Sequence, residues 1–398
     1  MQPSSLVDLL RDTPLIDGHN DLPWALRSLR SESPSEPEPE PDVAELTPRF
    51  MTDLPRLRAG RVGGQFWSVY VPSDPPGHHA VTETLEQIDL VNHLVARYSD
   101  QLGLARTADD VERVCASGRI ASMIGVEGGQ SIGNSLGALR TLARLGAGYL
   151  TLTHNDDTDW ADSATGEHAH GGLTRFGEEV VRELNRLAVL VDLSHVSDDV
   201  MRQAIEISEA PVVFSHSSAR ALADVPRNVP DDVLELVGRT GGVVMVAFVP
   251  TFVTRRGAEI NAIGWVEMRR LRAEHPGDPI AVEKAIDEWF GEQEQIDVTP
   301  ADVADHISHV REVAGIDAIG IGGDFDGVPS MGEQLHDVST YPLVFEELRA
   351  RGFGDEELRK VAGRNILALM RTAERVAERL VAERPPSSAT IEQLDGSG

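Results

Sequence analysis

The 398-residue chain has a single cysteine, Cys115. No disulfide can form within one copy and no cysteine-rich metal site can be built, so a metal would have to be held by histidine and carboxylate. Basic charge is also scarce. Lys and Arg number 36 against 65 Asp and Glu, a formal charge of −29, which repels polyphosphate and excludes nucleic acid as a partner. No apolar run approaches the roughly 18 residues that span a bilayer. Residues 1–14 also lack a basic segment followed by an apolar one. The expectation is a cytoplasmic protein with no membrane partner.

Apolar residues make up 41% and charged residues 25%, the balance of a folded globular chain. Eight short apolar runs alternate with longer stretches: Pro14 to Asp17, Gly64 to Val71, Ile120 to Val126, Tyr149 to Thr153, Val189 to Ser194, Val212 to Ser215, Gly242 to Val249 and Ala318 to Gly322. Between them, apolar residues recur at three- and four-residue spacing over Glu83–Tyr98, Leu136–Leu145, Glu178–Leu187, Val200–Ser208, Asp231–Gly238 and Asp302–Ala314, predicting helices. Eight strands with intervening helices predict an α/β fold, a (β/α)8 TIM-type barrel, although a doubly wound open sheet shares the alternation. One catalytic domain is expected over 1–383, with an acidic, proline-rich loop at 31–45 and a flexible tail at 384–398. The segment 251–295 is too long for a loop and reads as an insertion near the C-terminal face, placed to act as a lid.

Polar residues gather at the ends of the predicted strands. His19 and Asp21 are two apart and point the same way on a strand. Glu127 ends run three, His195 run five and His216 run six, at the face where barrel active sites lie. Three histidines and two acids exceed the needs of one tetrahedral zinc. Two zinc ions would use them all: His19, Asp21 and Glu127 around one, Glu127, His195 and His216 around the other. A carboxylated lysine bridges many two-metal barrels, but the only lysines, Lys284 and Lys360, follow no strand. Glu127 is therefore the candidate bridge.

Asp324, at the end of run eight, is placed to take a proton from an attacking water, whereas Asp326 reads as a turn cap. His154, after run four, could stabilise an oxyanion, and Arg227 or Arg220 could fork onto a carboxylate.

Taken together the motifs resemble the membrane dipeptidase (renal dipeptidase) family of zinc peptidases, within the amidohydrolase superfamily. They are DGHND at 17–21, GGQFWSVY at 63–70, GVEGG at 125–129, LTLTHN at 150–155, DLSH at 192–195, SHSSAR at 215–220, RNVPDD at 227–232 and GIGGDFDG at 320–327. The resemblance implies a soluble binuclear zinc dipeptidase with His19, Asp21, Glu127, His195 and His216 as ligands. It further implies a bridging hydroxide as nucleophile, Asp324 as general base and acid, His154 on the oxyanion and Arg227 on the substrate's C-terminal carboxylate. Dipeptides of the L-Xaa-D-Xaa type are implied substrates, and some members also open carbapenems. Homodimers are common in similar proteins, but with one cysteine a disulfide-linked dimer does not carry over.

The same two-zinc site would also serve an N-acyl amino acid deacylase or a cyclic-amide hydrolase. A serine hydrolase is the rival mechanism, since Gly129-Gln130-Ser131-Ile132-Gly133 fits a nucleophile elbow, but it leaves the strand-end cluster unexplained. A silent binding protein on a barrel predicts lost ligands, and none is missing. His78 and His79 read as loop residues, His93, His306 and His309 as helical, and His168 and His170 as part of a mobile loop. Cys115 reads as a small buried hydrophobe.

Overall fold

The computed structural model describes residues 5–32, 41–73 and 78–396. Its strands are β1 Leu15–Asn20, β2 Val62–Tyr70, β3 Leu102–Leu104, β4 Ile120–Glu127, β5 Ala147–Thr151, β6 Leu190–Asp192, β7 Val213–Phe214, β8 Val243–Val246 and β9 Ile319–Ile321. All pair in parallel, and eight of them close a ring in the order β1, β2, β4, β5, β6, β7, β8, β9. Closure decides against the open sheet: β2 runs beside β4 without a break from Gly64↔Ala121 to Tyr70↔Glu127. The fold is a (β/α)8 barrel, and each of the eight apolar runs overlaps one of its strands. β3 was not expected. It lies outside the ring against the first residues of β4, and three residues are too few to show a period of two.

The barrel interior is filled by Ile16, Phe66, Met123, Tyr149, Val213 and Met245. A second apolar layer, including Trp67, Val126, Phe176 and Phe345, lies between strands and helices. Helix Leu136–Leu145 begins and ends where expected. Arg175–Leu187, Asp198–Ile207 and Pro300–Val313 start two or three residues earlier, because Thr174, Ser197 and Thr299 cap them by accepting from the N–H groups of Gly177, Val200 and Asp302. His79 is not in a loop, since the helix His78–Arg97 already contains it.

Residues 33–40 of the acidic loop lie outside the described residues. The segment expected as a flexible tail is docked over its described part. Asp395, just after the short helix Ile391–Leu394, accepts from the Thr174 hydroxyl at 2.7 Å and from the backbone N–H groups of Arg175 and Phe176. It caps the helix Arg175–Leu187 from outside. Its polar side chains serve hydrogen bonding there.

His306, read as an ordinary helical position, is a buried strut. Its Nδ1 accepts from the Ala219 N–H at 2.9 Å, so Nε2 carries the proton donated to the Val253 carbonyl at 3.0 Å. This joins the loop after β7 to the segment after β8. Burial pushes its pKa down from 6.5 to about 4. The unfolded chain binds a proton below pH 6.5 that the folded chain refuses until about pH 4, so stability falls as pH falls through that window. Denaturant titrations at pH 7.5 and 5 should show wild type losing about 2 kcal/mol more than His306→Gln over the interval. Parallel losses in both proteins would remove His306 as the cause.

Candidate active site

The side chains expected to share a site converge at the C-terminal mouth of the barrel. His19 Nε2 lies 3.3 Å from Asp21 Oδ2, 3.3 Å from Glu127 Oε2 and 4.0 Å from Asp324 Oδ1. On the other side of Glu127, Oε1 is 3.1 Å from His195 Nε2, 3.5 Å from His216 Nε2 and 3.8 Å from His154 Nε2. Glu127 thus turns one oxygen to His19 and the other to the remaining imidazoles, and it takes part in two clusters able to hold an ion, one with His19 and His216 and one with His154 and His195, beside a third of His19, Asp21 and Asp324. Apart from His154, all of these side chains are buried.

The strands place them by parity and by strain. Gly125 and Glu127 both face the barrel axis on β4. A Cβ at Gly125 would lie 2.0 Å from the Tyr149 ring, so glycine there leaves room for the tyrosine that holds His19. His195 and Asp324 sit just past β6 and β9 with φ of 68° and 64°, a left-handed backbone rare for non-glycine residues and typical of functional turns.

Hydroxyls that the sequence reading passed over fix the imidazoles. Tyr149 donates its only proton to the Gly18 carbonyl, so at 2.7 Å it accepts from His19 Nδ1–H. Ser215 donates to Asp192 at 2.6 Å and so accepts from His216 Nδ1–H at 2.8 Å. His216 is left with a bare Nε2 lone pair turned toward Glu127. His19 turns its Nε2 toward Glu127 and Asp21, and although burial alone would lower its pKa, Tyr149, Glu127 and Asp21 hold it well above 6.5. Asp192 itself takes hydrogen bonds from Thr151 on β5 and from the Ser215 amide beyond β7. Asp17 does the same elsewhere in the ring for Gln65, the Gly323 N–H and the Tyr341 hydroxyl. Ser68 donates to Glu127 Oε2 at 3.0 Å. These partners were visible only as ordinary strand and loop residues.

The donor set fits a cation. His19 Nε2 is fully buried and makes no hydrogen bond, with two carboxylates beside it. Burial alone would raise the Glu127 carboxyl, but His19 and the neighbouring imidazoles outweigh it and hold it well below the usual range. Burial, with Arg227 close by, keeps His195 and His216 neutral, as metal ligands must be. Asp324 behaves in the opposite way: burial, reinforced by Asp21 and Glu127, raises it above ordinary carboxylates.

Arg227 is 2% exposed and pairs with no carboxylate among the described residues. It reaches only Ser217 Oγ at 3.5 Å and the His216 carbonyl at 3.4 Å. Its Nε has no partner, and Phe252 lies against it. Burial lowers it only to about 10, so it is a cation at neutral pH. Arg220, its rival, is committed to Asp198 by two bonds of 2.6 Å.

A cavity of about 870 Å³ opens over these groups and contains Glu127, His154, Arg227 and Asp324 in its wall. Ser131 is elsewhere, buried in a 3-10 turn with no hydrogen-bond partner, so nothing activates it. The Cys115 thiol donates to the Gly63 carbonyl, and burial pushes it up to about 11.

The model of the membrane dipeptidase family, peptidase family M19, matches residues 4–384. The chain belongs to this family. It is a metallo-dipeptidase, a hydrolase. This dipeptidase is 40% identical over 394 residues to dipeptidase verJ of Clonostachys rogersoniana, covering 95% of this chain and 88% of that one. The probable dipeptidase PvdM of Pseudomonas aeruginosa has the same fold, with a TM-score of 0.77 at 24% identity over 94% of this chain and 98% of that one. So does a Rhodobacter sphaeroides metallopeptidase solved with a phosphinate mimic of L-Ala-D-Ala, with a TM-score of 0.73 at 23% identity over 91% and 99%. No helix of the described residues is long and apolar enough to cross a membrane.

Proposed function

We propose that this dipeptidase cleaves dipeptides bearing a free C-terminal carboxylate, L-Xaa-D-Xaa among them, at a site holding two zinc ions. His19, Asp21 and Glu127 would hold one ion and Glu127, His195 and His216 the other. Two zincs there would supply Lewis acidity to the scissile carbonyl and acidify the attacking water. On this reading residues 1–383 work as one catalytic unit.

The remaining steps belong to the chain's own side chains. Asp324 accepts the proton released as water adds to the carbonyl carbon and passes it to the amine as the C–N bond breaks. A carboxyl raised by burial is suited to holding a proton between those two events. His154, neutral because burial lowers its pKa, supplies an N–H for the oxyanion.

The observation that carries the reading is Arg227. A buried cation without a counter-ion is costly, and a substrate carboxylate supplies one in fork geometry.

The test is amine release from L-L, L-D and D-L dipeptides and their C-terminal amides by zinc-loaded protein. Acids should be cleaved and amides refused. Arg227→Ala should lower kcat/KM at least about a hundredfold for acids, the scale of a lost charge-assisted pair, and far less for amides. Equal losses would assign Arg227 a structural role. Turnover of N-acyl amino acids with no dipeptide cleaved would replace the reading with a deacylase at the same site.

A further inference from the structure

The cavity has a second wall that the chemistry above does not use. Helix α1, Arg255–Glu274, has 20 residues and so is about 30 Å long. It starts just after β8, where Gly257 packs on the Pro250 carbonyl. Near its far end Arg272 pairs with Asp156, in the loop after β5. β5 and β8 are three strands apart in a ring of eight, so the helix crosses the mouth from one rim to nearly the opposite one.

One face of α1 looks down into the cavity. Ile260, Gly264, Met268 and Arg272 recur every four residues, with Asn261 and Trp265 beside them, and all six line it. The opposite face is open, with Ile263 and Val266 55% and 59% exposed. The inward stripe is made apolar by its own hydrogen bonding. The Trp265 indole N–H is spent on Asn261 Oδ1 at 2.9 Å, so the ring offers no donor that a polar ligand would be needed to satisfy. Gly264 has no side chain because the Phe290 ring of the following helix, Pro279–Gly291, takes that space: a Cβ would meet its Cζ at 2.6 Å. The charged groups of the site lie on the floor of the cavity, while the stretch of roof from Ile260 to Met268 is aromatic and aliphatic apart from Asn261. At about 870 Å³ it lies toward the upper end of the 300–1,000 Å³ range that suits drug-sized ligands.

We infer that the preferred substrates are dipeptides carrying one large apolar side chain, which lies against the Ile260–Trp265–Met268 face of α1 while the peptide bond and carboxylate occupy the floor. This rests on the dipeptidase reading and deepens it. A dipeptide of two small residues would leave the roof wetted and would gain nothing from it.

The experiment is kcat/KM for two series on zinc-loaded wild type, Xaa-Ala and Ala-Xaa, with Xaa being Gly, Ala, Val, Leu, Phe or Trp. In one series the value should climb with apolar size, Leu or Phe exceeding Ala at least about tenfold, as buried methylenes in a specificity pocket do. Glu and Lys at the same position should fall below Ala. Trp265→Ala and Met268→Ala should each shrink the Phe-to-Ala ratio severalfold. A flat or falling profile in both series, with Ala-Ala well cleaved, overturns this inference and leaves the dipeptidase reading standing. Cleavage of none of the dipeptides overturns the dipeptidase reading itself. A ratio unmoved by both substitutions would place the apolar contact away from α1 and also overturn the inference.

Discussion

On the two-zinc reading, Glu127→Gln is expected to abolish activity and to lower metal content from about two ions per chain to less than one. The change keeps the shape of the side chain and removes the one charge that both ligand groups share, Oε2 beside His19 and Oε1 beside His195 and His216. Losing a residue that supports a ligand typically costs 10–100-fold in metal affinity. Loss of the shared ligand should exceed that, and activity should fall by at least about a thousandfold. The measurements are metal analysis after dialysis and turnover of a good dipeptide, with circular dichroism to show the barrel intact. A variant that kept two ions and near-normal turnover would remove Glu127 as the bridge.

Asp324→Asn should separate chemistry from binding. Asparagine tolerates a φ near 64° better than most residues and fills the same space, so the loop after β9 keeps its path. The amide cannot accept and return a proton. The expected result is a fall in kcat of at least about a hundredfold with both ions retained and KM changed little. If kcat stayed within a fewfold of wild type, the proton would have to travel through another group.

The sequence made the acidic and basic groups of the site legible because they stand out against apolar strands. His19 and Asp21 share strand parity, and Glu127, His195 and His216 each follow an apolar run, so the eventual neighbours could be named before they were seen together. The hydroxyls that steer them were not legible. Ser68 and Tyr149 are ordinary strand residues and Ser215 lies just past β7, and the meaning of each depends on which strand lies beside it, which is fixed only when β2 meets β4 and the ring closes. His306 was hidden for a related reason: its partners, Ala219 and Val253, are far away in sequence and are backbone groups. The barrel itself followed from alternation. β3 and the earlier helix starts at Arg175, Asp198 and Pro300 did not, since short strands and polar caps carry no apolar period. The roof formed by α1 was expected as an insertion near the mouth, placed to act as a lid. That it crosses the mouth depends on the pairing of Arg272 with Asp156, two charged residues far apart in the sequence.

The tautomer relays through Tyr149 and Ser215 also set an order of events. Both imidazoles are aimed by bonds between protein groups, to the Gly18 carbonyl on one side and to Asp192 on the other. Those bonds form when the chain folds and need no ion to be present. Zinc fingers behave differently, since for them binding and folding are one transition. On the two-zinc reading, a barrel braced in this way is expected to assemble first and to be loaded afterwards. A chelator should therefore leave an inactive form that still melts as a folded protein does.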